Sequence, residues 1–317
     1  MKILSYDEVN PLQVLHLTML ALDFPLTPER AAHIRRTDPR PFPCFTVNAI
    51  EDDVVVGQVG VFRLPMISVA GREDVGGVWA VATHPDYSGR GVASCLLEEA
   101  HDRMRAAGLH FSTLGTDRYR SAYKVYQRHG YVDMHVWATA VVGWETAHQP
   151  TRLRAERVER AQPSGPEGYD FIEQLFDQRA NDYLGFAWRH RPFARLREQM
   201  SLDDIWVLWE NRQPMGYLFA QKDHLLLKIN IQLLRPGIDA AEAVAAVTSQ
   251  LKASYVLVTA SRPSDISSLR RAGYPVAHPS WGAFMVKPLV PEVTIKDARG
   301  LFGIGTDKFL ISWLDTT

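Results

Sequence analysis

The sequence has little of what would place a protein in an oxidising compartment or in a membrane. Only two cysteines, Cys44 and Cys95, occur in 317 residues, and each lies among apolar residues, which favours two buried thiols over a disulfide or a metal site. No run of about 18 apolar residues is present, and the N-terminus lacks the apolar stretch of a signal peptide. We therefore expect a cytoplasmic protein with no membrane association and no bound metal.

Charge of one sign is not in excess either. The chain has 35 basic and 36 acidic residues, for a formal net charge of −1. Surfaces that bind nucleic acid are usually basic, so we expect no nucleic-acid partner. The composition, 46% hydrophobic and 22% charged, is that of an ordinary globular protein, and the length suggests about two domains.

One order of predicted elements occurs twice along the chain. In the N-terminal half, the segments CFTVNAI and VVVGQVGVFRL form a predicted hairpin, followed by the strand GGVWAVATHP, a long helix, the strand LHFSTLG, the short helix SAYKVYQRHG and the final strand YVDMHVWATAVVGW. In the C-terminal half, the predicted hairpin IWVLWENRQPMGYLFAQ opens the same order. The repeat is one of pattern and not of sequence.

This order predicts an α/β protein with two tandem mixed-sheet domains. We place the first domain at residues 1–145 and the second at residues 166–290. Between them, residues 146–165 are rich in charge, proline and glycine and form a predicted linker. Residues 291–317 are a C-terminal tail beyond the repeated plan.

The segment HPDYSGRGVASCLL, from His84 to Leu97, is the most informative part of the sequence. Gly89 and Gly91 leave the backbone free of side chains, and a predicted amphipathic helix follows them directly. A bare backbone at a helix N-terminus can bind an anion, because its N–H groups point outward and the helix dipole favours negative charge. The segment therefore predicts a phosphate-binding loop.

Two motifs in the N-terminal half resemble the GNAT superfamily of acyl-CoA N-acyltransferases, over about residues 1–145. The family binds the pyrophosphate of coenzyme A in a loop of the form Arg/Gln-x-x-Gly-x-Gly/Ala. Gly91 and Ala93 match this form, whereas Ser88 departs from the usual Arg or Gln. A second family motif, Ala-x-x-x-Tyr-x-x-x-Gly-aromatic, is matched by Ala122, Tyr126, Gly130 and Tyr131.

The tandem plan further resembles the aminoglycoside-acetylating proteins of the enhanced-intracellular-survival type. Those proteins carry an active N-terminal GNAT domain, a degenerate second one and a sterol-carrier-like third domain, for which we expect no counterpart here. In the second half of this chain, Pro236 removes one N–H donor from the corresponding loop and Asp239 adds a negative charge. Leu269 stands where the motif tyrosine would be expected. We therefore expect the second domain to be a degenerate copy.

The resemblance implies transfer of an acetyl group from acetyl-CoA to a primary amine of a small molecule, by direct attack on the thioester and without a metal. Tyr126 would protonate or stabilise the leaving thiolate, and the preceding strand would pair its backbone with the pantetheine arm. The coenzyme-binding residues would be Val81 and Ala82 on that strand and Ser88, Gly89, Arg90, Gly91, Val92 and Ala93 in the loop.

The base that accepts the proton of the amine is poorly marked. An attacking amine is mostly protonated at neutral pH, and the central strand carries no glutamate for this task. Asp117, His84 and His110 are alternatives, as is a chain of water molecules. Asp315 and the terminal carboxylate of Thr317 offer a further one, if the tail reaches the N-terminal cleft.

Two rival functions are left open by the residues. A catalytically silent acyl-CoA sensor is favoured by Ser88 and by the unmarked base, whereas Tyr126 argues for an enzyme. Aminoacyl transfer from charged tRNA is disfavoured by the near-neutral charge and the intact loop. Homo-oligomerisation is also left open by the sequence.

Overall fold

The computed structural model describes residues 1–38, 40–161, 168–187, 201–277 and 282–312, which form two mixed β-sheets with helices packed against them. In chain order the elements are β1 (Lys2–Ser5), α1 (Pro11–Leu22), α2 (Pro28–Thr37), β2 (Pro41–Glu51), β3 (Val54–Ser68), β4 (Gly71–Thr83), α3 (Val92–Ala106), β5 (Phe111–Asp117), α4 (Ser121–Arg128), β6 (Val132–Val136), β7 (Ala138–Gly143), α5 (Trp144–Ala147), β8 (Arg154–Arg157), α6 (Val158–Ala161), α7 (Gly168–Ala180), β9 (Leu184–Gly185), β10 (Ile205–Glu210), β11 (Gln213–Asp223), β12 (Leu226–Leu234), α8 (Ala240–Thr248), β13 (Tyr255–Ala260), α9 (Pro263–Arg271), β14 (Val276–Ala277), β15 (Gly282–Pro288), α10 (Ile295–Phe302) and β16 (Phe309–Leu310). The predicted fold class is confirmed.

Local sequence explains how the repeated hairpins and the first helices form. The turn between β2 and β3 has Asp52 and Asp53 at φ +49° and +61°, and the turn between β10 and β11 has Asn211 and Arg212 at +46° and +66°. Two consecutive left-handed residues make the tight turn whose twist matches antiparallel strands. Both predicted hairpins are confirmed. Thr27 accepts a hydrogen bond from Arg30 N and caps α2 as predicted.

The two sheets share one layout, and each contains a strand from the other half of the chain. The first sheet has the order β1-β2-β3-β4-β5-β15-β6, and the second has the order β14-β7-β13-β12-β11-β10-β8. β15 lies antiparallel between β5 and β6. β7 takes the equivalent place between β13 and β14. The halves have therefore exchanged their seventh strands.

This exchange corrects the single predicted strand YVDMHVWATAVVGW. The segment forms two strands, β6 in the first sheet and β7 in the second, with Trp137 alone between them. A tight hairpin between neighbouring strands needs a loop of at least two residues, so β7 does not fold back on β6 and instead pairs with β13. The predicted linker 146–165 also contains β8, which pairs with β10 in the second sheet. The boundaries of the two domains stay a prediction, since each sheet draws on both halves.

The first sheet is covered on both faces. On one face, α3 packs its apolar side against β2, β3 and β4, with Leu96, Ala100 and Met104 fully buried. The other face is covered by α1 and by the C-terminal segment, which contributes Phe302 and Phe309 to the same apolar cluster. Residues of the C-terminal half therefore pack directly on the N-terminal sheet.

Candidate active site

The two parallel strands at the centre of the first sheet separate toward their carboxyl ends. β4 and β5 pair only at Gly76–Ser112 and Gly77–Thr113, after which β4 continues to Thr83 and β5 to Asp117. Backbone N–H and C=O groups need hydrogen-bond partners, and an extended ligand can supply them along such an open strand edge. The structure places the predicted residues Val81 and Ala82 on the β4 side of this fork.

A bulge lies in β4 at the same level as the fork. Ala80 and Val81 together oppose Val59 of β3, because Trp79 pairs with Gly60 and Ala82 pairs with Gln58. Ala80 has a φ of +47°, a left-handed conformation that costs a non-glycine residue about 1–2 kcal/mol. The bulge therefore turns the backbone of β4 where the two strands part.

The predicted phosphate loop connects β4 to the N-terminus of α3. Gly89 and Gly91 have φ values of +77° and +81°, which glycine adopts without strain. No side chain caps α3, and the amide of Cys95, which donates to Gly91 O at 3.0 Å, makes the first intrahelical hydrogen bond. The amides of Val92 and Ala93 at the start of α3 have no intrahelical partner. An anion at this helix N-terminus would receive them.

Val92 fixes the helix N-terminus against the sheet. It is 4% exposed, and an ideal Cβ on Gly57 of β3 would lie 2.4 Å from its Cγ1 atom. Glycine at position 57 thus lets the first turn of α3 approach the strand closely.

Arg90 lies at the outer edge of the loop and is largely exposed. Its guanidinium lies 4.7 Å from the centre of the Tyr87 ring, and its Nη1 atom is 3.9 Å from Glu51 Oε1. Ser88 ends the short turn before the two glycines, where its amide donates to Pro85 O at 3.0 Å. Both predicted residues therefore flank the helix N-terminus.

Tyr126 lies on α4 and is 7% exposed. It belongs to the same apolar cluster as Val92, against which Val81 also packs. Burial raises the pKa of Tyr126 to about 12, a shift that Arg120 partly opposes. The phenol is therefore protonated throughout the neutral range and is able to act as an acid.

The three predicted bases inside the described residues have different surroundings. Asp117 Oδ1 accepts from Tyr119 N at 2.8 Å, so this carboxylate stabilises the turn after β5. His84 Nδ1 accepts from Asp86 N at 3.3 Å, which is the loop role that its position before Pro85 suggests. His110 Nδ1 lies 2.9 Å from Glu73 Oε1, at the end of the sheet opposite the fork. The structure thus separates His110 from the site.

A buried chain of hydrogen bonds links β4 and β5 where the fork begins. The sequence analysis did not predict it. Ser112 Oγ donates to Gly76 O at 3.1 Å and lies 2.7 Å from Tyr131 Oη. Tyr131 Oη is in turn 2.8 Å from His101 Nε2. All three side chains are nearly inaccessible. Tyr131 is thus a structural member of the second motif.

Replacing His101 with Gln is expected to weaken the loss of stability in acid. Burial, with smaller contributions from Lys287, His129 and Arg105, lowers the pKa of His101 to about 3, below the value of about 6.5 in an unfolded chain. Between these two values the unfolded state binds one more proton, so His101 lowers the free energy of unfolding by up to about 1.4 kcal/mol per unit of pH decrease. Gln retains a partner for Tyr131 but does not titrate.

Urea unfolding of both proteins between pH 7 and about pH 4 measures this slope. The matched control is His224→Gln, because the His224 side chain is 96% exposed and changes its surroundings little on unfolding. Equal slopes for wild type and His101→Gln would show that His101 does not titrate abnormally.

In the second half of the chain, a carboxylate occupies the helix N-terminus that corresponds to the start of α3. Asp239 caps α8 and accepts from Ala241 N at 2.9 Å, Glu242 N at 3.3 Å and Ser268 Oγ at 2.5 Å. Burial raises the pKa of Asp239, but these hydrogen bonds and Arg271 outweigh burial and leave the pKa lowered. A permanent negative charge therefore occupies the helix N-terminus that an incoming phosphate would need.

A cavity of about 480 Å³ remains beside this second helix N-terminus. Arg262 on its wall, with a side chain 11% exposed, forms a bidentate pair with Asp265, with two bonds of 2.8 Å. Leu269, which replaces the motif tyrosine, is 1% exposed and offers no acid. These features agree with a degenerate second copy.

Some predicted features lie outside the described residues. Thr317 and Asp315 belong to residues 313–317, so their proposed roles stay predictions. Within the described ranges, no group of three His, Cys, Asp or Glu side chains is placed to hold a metal ion. No described helix is long and apolar enough to cross a membrane. Cys44 and Cys95 are both free thiols, the first buried and the second half-buried.

Comparison with known proteins gives a family for the first half and a fold for most of the chain. The model of the acetyltransferase (GNAT) domain family matches residues 8–133. No curated protein matches the chain.

The solved structures that resemble the chain are distant in sequence. A GCN5-related N-acetyltransferase from Kribbella flavida is 16% identical with a TM-score of 0.63, and covers 91% of this chain and 72% of its own. A probable N-acyltransferase of unknown function from Enterococcus faecalis is 15% identical with a TM-score of 0.67. The alignment covers 91% of this chain and 72% of the Enterococcus faecalis chain. Eis1 from Mycobacterium abscessus is 15% identical with a TM-score of 0.59, and the alignment covers 91% of this chain and 74% of Eis1. At these identities the likeness shows the fold.

The family match covers β2 to β5, the fork, the glycine loop and the α4 tyrosine, and the solved structures share the surrounding fold. Residues 8–133 of this chain therefore match the acetyltransferase (GNAT) domain family, and the likeness in fold extends over most of the chain.

Proposed function

We propose that this protein transfers an acetyl group from acetyl-CoA to a primary amine of a small molecule. The observation that carries the proposal is the fork between β4 and β5 beside an uncapped helix N-terminus. The fork offers strand edges to an extended pantetheine arm, and the loop of Gly89 and Gly91 offers backbone amides to a pyrophosphate. Both lie in the half of the chain whose family transfers acetyl groups.

Different residues of the chain bind the coenzyme and supply the proton to the leaving group. The amides at the start of α3, on Gly91, Val92 and Ala93, bind and orient the coenzyme. The amine nitrogen attacks the carbonyl carbon of the thioester, the carbon–sulfur bond breaks, and the thiolate leaves with the bonding pair. The Tyr126 phenol supplies a proton to that sulfur, since its raised pKa keeps it protonated.

The proton lost by the amine needs an acceptor, and Asp117 is the described carboxylate nearest in sequence to the fork. Its Oδ1 atom is engaged with Tyr119 N, whereas its Oδ2 atom is 3.9 Å from Arg120 Nε. We keep Asp117 and the Thr317 carboxylate as alternative bases. The cytoplasmic location, the small-molecule amine and a homo-oligomer likewise stay predictions.

Replacing Tyr126 with Phe is expected to lower kcat about 100-fold, the usual contribution of one general acid. The change removes one hydroxyl and almost no volume from a buried ring, so affinity for acetyl-CoA stays within about twofold. Tyr123→Phe is the matched control, because Tyr123 lies on the same helix and its hydroxyl donates to Asp133 Oδ2 at 2.8 Å. Thiol release from acetyl-CoA, followed with a panel of amines, gives both constants. A Tyr126→Phe enzyme with unchanged turnover would assign Tyr126 to packing alone.

The same assay separates the proposal from its rivals. Steady release of coenzyme A that depends on an amine supports acetyl transfer. Binding of acetyl-CoA without release under any amine would support a silent acyl-CoA sensor instead. Absence of binding would contradict both.

A further inference from the structure

Gln58 is a polar side chain at the centre of a buried apolar strand. It lies in β3 and is 0% exposed. Its neighbours Val59 and Val61 belong to the apolar cluster beneath α3, so alternation along the strand directs Gln58 to the opposite face. In the β3–β4 pair Gln58 lies opposite Ala82, next to the bulge.

The side-chain nitrogen of Gln58 holds the carbonyl of the bulge residue. Gln58 Nε2 donates to Ala80 O at 3.2 Å. A carbonyl oxygen only accepts hydrogen bonds, so this contact also fixes which end of the amide is nitrogen. Among the described residues, nothing donates to the remaining oxygen, Gln58 Oε1.

The direction of one backbone N–H follows from this bond. In a trans peptide the C=O and N–H bonds point in opposite directions. Because Ala80 C=O points toward the Gln58 side-chain nitrogen, the N–H of Val81 in the same peptide points away from that nitrogen. At this level β4 has already parted from β5, so a ligand in the fork can accept a hydrogen bond from this N–H.

We propose that Gln58 is a positioning residue, which holds the Ala80–Val81 peptide so that the Val81 N–H donates to the thioester carbonyl oxygen during acetyl transfer. This inference rests on the proposed function. Negative charge develops on that oxygen when the amine attacks, and a fixed N–H donor stabilises it without reorganising. Gln58 thus acts through the backbone and does not itself touch the acetyl group.

The conformation of Ala80 explains why such a bond is needed. With φ at +47°, an alanine peptide relaxes toward ordinary strand geometry unless other contacts hold it. Relaxation would rotate the Val81 N–H out of the fork. An apolar side chain of equal size at position 58 would avoid an unsatisfied buried oxygen, but it would leave Ala80 O without its donor.

Asn48 provides a matched control for Gln58. It lies directly opposite Gln58 in the β2–β3 pair and is also 0% exposed. Its Nδ2 atom donates to Thr46 Oγ1 at 2.9 Å and makes no bond to β4. Replacing either residue removes one buried amide, but only Gln58 holds the bulge.

We expect Gln58→Met to lower kcat at least tenfold, while the affinity for free coenzyme A stays within about twofold. Removal of a whole oxyanion donor lowers kcat by about 10²–10³-fold, and a misdirected donor lowers kcat by part of that factor. Asn48→Leu should lose similar thermal stability yet keep kcat within about twofold. Comparable loss of kcat in both variants, or normal kcat in Gln58→Met, would overturn the inference.

The double variant Gln58→Met/Ala80→Gly keeps the test decisive if the single variant folds poorly. Glycine accepts a positive φ without strain, so the fold should recover while the peptide lacks its donor and turnover stays low. Recovery of wild-type kcat would show that Gln58 serves only to stabilise the bulge.

Amide NMR of Val81 tests the direction of the N–H without turnover. In the wild type, acetyl-CoA should move the Val81 amide proton downfield relative to coenzyme A, which lacks the carbonyl. In Gln58→Met the two ligands should give the same shift. Equal shifts in the wild type would overturn the inference. Failure of the proposed function would show separately, as a wild type that binds acetyl-CoA but acetylates no amine.

Discussion

Fragments 1–164 and 165–317, prepared separately, are each expected to be unable to fold or to bind coenzyme A, and to recover binding when they are refolded together. The first fragment carries the whole glycine loop and Tyr126 but lacks β15. In the intact chain β15 lies between β5 and β6, so its loss opens one edge of β5 and leaves β6 without its partner strand in the first sheet.

The energetic reason is the burial of β15. Phe284, Met285 and Val286 are each at most 1% exposed, and burying such side chains contributes about 1.5–3 kcal/mol each. Their sum is comparable with the whole stability of a typical domain, about 5–15 kcal/mol. The second fragment has the reciprocal defect, since β7 pairs with β13 over the whole length of both strands.

Circular dichroism and calorimetric titration with coenzyme A measure the outcome for each fragment and for the refolded mixture. Fragment 1–137 is a useful control, because it also removes β7 and so prevents β7 from filling the place of β15. Coenzyme binding by fragment 1–164 alone, at the affinity of the intact chain, would contradict the prediction.

Gly91→Val is expected to weaken coenzyme A binding by at least about 100-fold. Gly91 has a φ of +81°, which a β-branched residue rarely adopts, so the peptide rotates and the amides at the start of α3 lose their common direction. Each hydrogen bond to a charged group contributes about 1.5–3 kcal/mol, and losing two is sufficient for this change.

Gly108→Val controls for backbone strain in the same helix. Gly108 follows the C-terminus of α3 with a φ of +75°, and an ideal Cβ at Gly91 or Gly108 meets no atom within 4 Å. Both variants should therefore lose similar stability, but only Gly91→Val should lose affinity. Calorimetry should also give one coenzyme molecule per chain, because Asp239 occupies the second helix N-terminus. Two molecules per chain, or unchanged affinity in Gly91→Val, would be the contrary result.

The local parts of the site could be predicted from sequence because they depend on residues close together in the chain. Gly89 and Gly91 indicate a left-handed backbone that other residues avoid, and the apolar spacing after them indicates the helix. The loop, the helix and the tyrosine motif were therefore predicted with their positions. A polar Gln58 between Gly57 and Gly60 in an apolar strand is a further local signal of a special position.

By itself the sequence determined an α/β chain with one supersecondary plan used twice, its two hairpins, and a glycine loop at the start of α3. These depend on turn chemistry and on hydrophobic period, which act over a few residues. Only the tertiary structure decided which sheet each seventh strand joins, because β7 and β15 are both short apolar strands that fit either place by pattern. It also decided the bulge at Ala80 and the buried chain from His101 to Gly76. Those features form where distant strands pack together, and no local pattern specifies such contacts.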